Sequence, residues 1–141
     1  MFYSELVRKA SNICFEAHKY DVDKAGYPYF MHPHSLAVQF FDEASVCVAL
    51  LHDVIEDHGD KYSFEYLREA GFYEEIITSL KLLTHEQGVD YIEYVKKIKT
   101  NPIARRVKLA DLKHNSDISR CGGHKPRKYD LYLEAIKILE N

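Results

Sequence analysis

Ala44-Ser45-Val46-Cys47-Val48-Ala49-Leu50-Leu51-His52-Asp53-Val54-Ile55-Glu56-Asp57 is the stretch on which the fold turns. Eight small or apolar residues run, with no Gly or Pro, into four chemically capable side chains within six positions. Such a run predicts one helix from about Ala44 to Asp57. At roughly 100° per residue, His52, Asp53, Glu56 and Asp57 share a stripe about 140° wide, while Cys47, Val48, Leu51, Val54 and Ile55 take the other side. Three ionised carboxylates beside an imidazole repel one another unless a cation, a basic partner or water relieves them. A divalent metal is the sharp expectation and a solvated acidic face the plain one, so the rest of the chain must decide.

Outward from this stretch, the pattern is helical throughout. Leu6, Ala10, Ile13, Cys14 and Ala17 recur at helical spacing and predict a helix over about Ser4 to Tyr20. Asp21 to Met31 holds Gly26 and Pro28 and reads as non-helical. His32-Pro33 opens the next helix with Pro33 at its first position, which would fix His32 at a helix entry. His34 follows two residues on, but around a helix start two such rings diverge, so only one of them is a ligand candidate. Ser63 caps a short helix ending near Gly71, Phe72 to Leu83 reads as another, Asp90 caps Tyr91 to Lys99, and Asn101-Pro102 opens one running to Ile118. A last helix fills about Pro126 to Leu139. No stretch alternates like a strand, and no repeat or low-complexity linker divides the chain. The expectation is a single all-α domain over residues 1–141.

Composition bounds the function. With 141 residues, 46% hydrophobic and 29% charged, the chain suits one soluble domain. The apolar run above is far short of a membrane span, and the first residues lack a secretion pattern, so a cytoplasmic protein with no membrane partner is expected. Cys14, Cys47 and Cys121 are odd in number and form no Cys-x-x-Cys pair, as three reduced thiols would be. The net charge of -3 hides a segregation: residues 96 to 128 carry eleven Lys and Arg against Asp111 and Asp117, so the remainder is strongly acidic. A basic third facing an acidic remainder suits a small anionic ligand held near a metal. Nucleic acid is disfavoured by the mildly acidic total and the lack of a reading motif. Nothing in the sequence bears on oligomeric state.

The helix beginning at Asn101-Pro102 has a polar stripe of its own. With Asp111 at zero, Asn115 falls at roughly 40° and Lys108 at about 60°, while Arg106, Lys113 and Asp117 face away. A carboxylate, an amide and an ammonium so arranged could complete a metal site and reach a phosphate, or Lys108 and Asp111 could be an ordinary i,i+3 ion pair. His114 lies about 100° from Asn115, nearer Val107, and reads as a buried structural histidine.

The ordered set His32, His52-Asp53 and Asp111 resembles the H…HD…D signature of the HD superfamily of metal-dependent phosphohydrolases. Gly26-Tyr27-Pro28-Tyr29-Phe30-Met31-His32-Pro33, Leu50-Leu51-His52-Asp53-Val54-Ile55-Glu56-Asp57 and Val107-Lys108-Leu109-Ala110-Asp111-Leu112-Lys113-His114-Asn115 are similar to the three motif blocks of the RelA/SpoT-type hydrolase domain and of small stand-alone alarmone hydrolases. The resemblance spans about His18 to Arg120. It implies a helical HD-domain bundle in which His32, His52, Asp53 and Asp111 bind one divalent metal, manganese. It further implies that Glu56 and Asp57 handle the attacking water, that Asn115 contacts the nucleotide and that Lys24 lies near its phosphates. The implied reaction is removal of the 3'-pyrophosphate from (p)ppGpp; a non-catalytic HD domain that binds a nucleotide or a partner protein is the alternative. Asp23-Lys24-Ala25-Gly26 stands where bifunctional relatives carry a pattern like Arg-Lys-Ser-Gly, and Leu112 where they have arginine. A related nucleotide, or another phosphate ester such as that of NADPH, therefore stays open as substrate.

Overall fold

The computed structural model describes all 141 residues, which form nine α-helices and no sheet. The first, α1 (Glu5–His18), starts where Ser4 Oγ accepts the Val7 amide at 3.1 Å, and it buries Val7, Ala10, Ile13, Cys14 and Ala17. The following loop is pinned by an isolated bridge between Val22 and Pro28 and by Asp23 Oδ1, which accepts the amides of Ala25 and Tyr27. Gly26 at φ 89° lets this loop reverse. The α2 helix (Met31–Ala37) begins two residues earlier than the proline suggests, so His32 sits inside its first turn with Pro33 behind it.

At the centre stands α3 (Glu43–Leu51), opened by Asp42 Oδ2 accepting the Ser45 amide at 3.0 Å. Every residue from Ala44 to Leu51 is buried. A helix apolar on all sides must be surrounded, and α1, α2, α6 and α8 enclose this one. The helix expected to continue to Asp57 stops at Leu51, and α4 (Val54–His58) begins anew beyond His52-Asp53. His52 donates its ring Nδ1–H to the Ala49 carbonyl at 2.7 Å, taking the acceptor that a continuing helix would offer to the Asp53 amide. Beyond the break, Glu56 and Asp57 stand on α4 in the wall of a cavity.

The remaining helices close the bundle. They are α5 (Phe64–Glu69), capped by Ser63, and α6 (Glu74–Leu83). Next come α7 (Tyr91–Lys99), capped by Asp90, α8 (Pro102–Asn115), capped by Asn101, and α9 (Tyr129–Glu140). The α8 helix ends at Asn115 rather than Ile118; a short 3₁₀ turn over Ile118–Cys121 follows, closed by Gly122 at φ 65°. Leu36, Leu51, Leu67, Ile76, Ile77, Leu80, Ile98, Leu112 and Leu139 fill one contiguous core. The three cysteines are free, and burial pushes Cys14 and Cys47 up to about 12. No helix is long and apolar enough to cross a membrane.

Candidate metal centre

Three separate segments bring four side chains together beneath the bundle surface. His32 comes from the first turn of α2, His52 and Asp53 from the break after α3, and Asp111 from α8. His32, His52 and Asp111 are at most 5% exposed. The donor atoms of His32, His52 and Asp53 lie within 4.8 Å of one another. Asp111 Oδ1 is 2.9 Å from His32 Nε2 and 3.5 Å from His52 Nε2, which in turn lies 3.1 Å from Asp53 Oδ2.

His52 carries the decisive observation. Its Nδ1–H is committed to the Ala49 carbonyl, so the free lone pair of a neutral ring is at Nε2. That atom is buried, close to two carboxylates, and makes no hydrogen bond of adequate geometry. Two carboxylates facing that nitrogen require a positive charge there, either a proton on Nε2 or a cation bound in its place. Burial opposes protonation of His52, yet Asp53 and Asp111 outweigh it and hold the imidazole well above its usual range. Burial would likewise raise Asp53, but the His52 charge beside it holds the carboxyl at about 2. For Asp111 burial is overcome by Lys108 and the two histidines, which keep it far below the ordinary carboxylate range. Two imidazole nitrogens and two carboxylates are a reasonable set for a divalent first-row ion, and they fit it by the charge demand they create as well as by composition.

Surrounding groups hold these four in place. The Tyr29 hydroxyl donates to Asp53 Oδ2. Lys108 Nζ donates to Asp111 Oδ2 at 2.9 Å and Asn115 Nδ2 to Asp111 Oδ1 at 3.0 Å, as their shared stripe on α8 predicts. Lys108 also lies over the Tyr94 and Tyr91 rings at 5.5 and 6.0 Å. His114 is half-buried rather than enclosed in the core, with its Nδ1 2.6 Å from His32 Nδ1. The two rings are nearly coplanar at 18°, as an in-plane hydrogen bond requires. Burial, helped by the His32 ring, pushes His114 down to about 4, so it stays neutral and can accept the His32 Nδ1–H. His34 is exposed and turned away.

Two cavities adjoin the cluster, with Val22 and Tyr29 common to both. One, of about 650 Å³, is lined by Asp21, Glu56, Asp57 and His58 and has no Lys or Arg in its wall. Glu56 Oε1 accepts the His85 amide at 2.6 Å, which fixes its carboxylate. Burial raises both acids, and for Asp57, with Asp53 and Glu56 adding to the effect, it reaches about 6. The other cavity, of about 510 Å³, is lined by His32 and Asn115 together with Lys24, Arg120 and Lys125. Arg120 lies 3.7 Å from Asp23 and donates to the His114 carbonyl at 2.7 Å.

Of the residues singled out in the sequence, His32, His52, Asp53 and Asp111 converge, Glu56 and Asp57 flank them, and Lys24 and Asn115 line the basic cavity. Lys108 is held on Asp111 and lines neither cavity. The sequence points to neither Tyr29 nor Arg120 as a site residue, and it reads His114 as a buried structural histidine. Tyr29 and His114 lay inside the quoted motif blocks, and only their ring directions reveal what they contact.

No family model matches the chain. It is 32% identical over 122 residues to "GTP pyrophosphokinase rsh" of Brucella melitensis and 28% identical over 120 residues to a probable GTP pyrophosphokinase of Mycobacterium leprae. Each match covers 78% of this chain and about one sixth of the relative's length, 16% and 15% respectively. A solved structure described as a metazoan ortholog of SpoT that hydrolyzes ppGpp superposes with a TM-score of 0.72 at 22% identity. The chain has a SpoT-type fold. That match covers 99% of the chain and 85% of the solved one, so the SpoT-type fold accounts for nearly all nine helices. In sequence and in fold the chain resembles the RelA/SpoT proteins.

Proposed function

We propose that the protein is a metal-dependent phosphohydrolase that removes the 3'-pyrophosphate from (p)ppGpp or a closely related nucleotide, with His32, His52, Asp53 and Asp111 holding one manganese ion. The observation that carries this is the buried His52 Nε2, fixed by its tautomer to face Asp53 and Asp111 with no hydrogen-bond partner. When bound, the ion supplies Lewis-acid polarisation of the phosphoryl group and a more acidic water.

The chain's own residues account for the other steps. Lys24, Arg120 and Lys125 give the 510 Å³ cavity a positive wall suited to nucleotide phosphates, and Asn115 lies at its inner side. Arg120 offers a guanidinium beside Asp23, where bifunctional relatives have an arginine. Glu56 and Asp57, one helical turn beyond the metal-binding pair, orient the attacking water and take its proton. Glu56 is steadied for this by the His85 amide. His114 and Tyr29 set the orientation of His32 and Asp53. A cytoplasmic location and an HD-type domain over residues 1–141 are part of the same proposal.

The test is to load the protein with manganese, offer ppGpp, other guanosine and adenosine nucleotides and NADPH, and separate released pyrophosphate from phosphate. Pyrophosphate from ppGpp, abolished by a chelator and by His52→Ala, is expected. Silence across the panel with metal bound overturns the assignment.

A further inference from the structure

We propose that His18, Asp21 and His58 form a second divalent-cation site, distinct from the buried centre and open to the acidic cavity. Asp21 Oδ2 lies 3.0 Å from His18 Nδ1 and 2.6 Å from His58 Nε2, and one ligand atom from each residue falls within 4.8 Å of the others. The 3.0 Å separation falls within the 2.9 to 3.5 Å at which ring nitrogens and carboxylate oxygens stand in the buried cluster, and the 2.6 Å one is shorter.

The three residues come from unrelated places and are placed by backbone rather than by mutual attraction. His18 ends α1, and its carbonyl accepts the Asp21 amide at 2.9 Å. Asp21 begins the pinned loop, and its carbonyl accepts the Tyr29 amide at 2.9 Å. His58 ends α4, with its carbonyl accepting the amides of Lys61 and Tyr62 at 3.1 and 2.9 Å. The rings are set as well: His18 packs at 4.9 Å on Tyr29 and edge-on at 5.4 Å to His58. His18 is 1% exposed, and Nδ1 is its one polar contact, directed at Asp21. Asp21 and His58, by contrast, stand about one third open to solvent.

The surroundings favour a cation on independent grounds. Asp21, Glu56 and Asp57 share the wall of the 650 Å³ cavity, which contains no Lys or Arg to balance them. Two imidazole nitrogens and one carboxylate oxygen suit cobalt, nickel, zinc or manganese, whereas magnesium and calcium prefer all-oxygen shells. Three protein ligands leave positions facing the cavity, the layout of an exchangeable ion rather than a closed structural one. Tyr29 packs against both His18 and His32, at 4.9 and 5.8 Å, and so lies between the two clusters. The site stands on its own geometry; that its ion would face the same phosphate as Glu56 and Asp57 rests on the hydrolase assignment.

Cobalt(II) titrated into chelator-stripped full-length protein, followed by calorimetry and by visible absorption, tests the site. Two equivalents are expected for the wild type, one each for His58→Ala and Asp21→Asn, one for His52→Ala, and none for His52→Ala/His58→Ala. His58 is partly exposed, so its variants keep the fold; His58→Gln, which retains bulk, should lose the same equivalent. A wild-type count of one that His52→Ala removes and His58→Ala leaves overturns the second site, as would two equivalents in His58→Ala. The three side chains are then a hydrogen-bonded triad only. A count of one that His58→Ala removes and His52→Ala leaves supports the second site and removes the basis of the first.

Discussion

Two His–Asp clusters each set a histidine against the ring of Tyr29, yet they are built on different terms. His32, His52 and Asp111 are almost wholly out of water, and each of their remaining polar atoms is tied to a named partner: His114, the Ala49 carbonyl, Lys108 and Asn115. His18, Asp21 and His58 have one buried member and two that meet solvent. Buried charges are costly unless paired, so the inner cluster must carry its own countercharges, and removing one strands another. The outer cluster is screened by water, so it can lose a member at little cost to the fold. Similar chemistry thus couples to stability in one place and is nearly free of it in the other.

The largest effect is expected where that coupling is strongest. Asp111→Ala removes the partner of Lys108, whose ammonium is mostly buried, and leaves His32 Nε2 without its contact. It should reduce hydrolysis to the assay background and destabilise the fold by about 3–5 kcal/mol in urea unfolding. Lys108→Met added to Asp111→Ala should recover part of the stability and none of the activity. Equal loss of stability in single and double variants would refute the pairing argument.

Next come the two acids between the clusters. Glu56→Gln and Asp57→Asn each remove a proton acceptor and leave the ligand set intact, so turnover should fall by about 10²–10⁴-fold. Metal content, measured by elemental analysis after gel filtration, should not change. A parallel loss of metal would make these acids ligands rather than handlers of water.

How much of this contrast the sequence discloses depends on how local each cause is. Ser4, Asp42, Ser63, Asp90 and Asn101 each cap a helix through a bond to an amide three residues on. Such contacts are legible, and Ser63, Asp90 and Asn101 are read as caps from the sequence, whereas Ser4 and Asp42 are caps that only the structure supplies. The Lys108, Asp111 and Asn115 stripe follows from helical geometry alone, and it is there. The break at His52 was not legible, because it depends on one imidazole taking one carbonyl in a crowded interior. His114 was misjudged for a related reason: its angle on α8 pointed to core, whereas its ring reaches α2, which the wheel does not contain. The outer cluster was least legible. Asp21 and His58 are 37 residues apart and meet only because the Val22–Pro28 bridge folds the loop back over α4.

A smaller effect should come from the ring that aims His32. Replacing His114 with Leu removes the acceptor of His32 Nδ1–H, which should weaken metal binding at the inner centre by about 10–100-fold. His114→Asn, whose side-chain oxygen can accept the same proton, should retain more affinity than the Leu variant. Competition against a chelator gives both values on folded protein. Identical losses in the two variants would point to packing rather than to the hydrogen bond.

The smallest effect on stability should come from Asp21→Asn, and it completes the comparison. The substitution keeps the side-chain shape and removes one charge from a residue about one third exposed. Burial lowers His18, so the buried partner left behind is neutral and no buried charge is stranded, unlike Lys108 in the inner cluster. Unfolding free energy should therefore move by about 1 kcal/mol or less, the range of exposed ion pairs. A change of several kcal/mol would mean that Asp21 braces the loop that carries Tyr29, because Tyr29 donates its amide to the Asp21 carbonyl and its hydroxyl to Asp53. The outer cluster would then be a structural extension of the inner one, and the contrast between them would fail at the tyrosine they share.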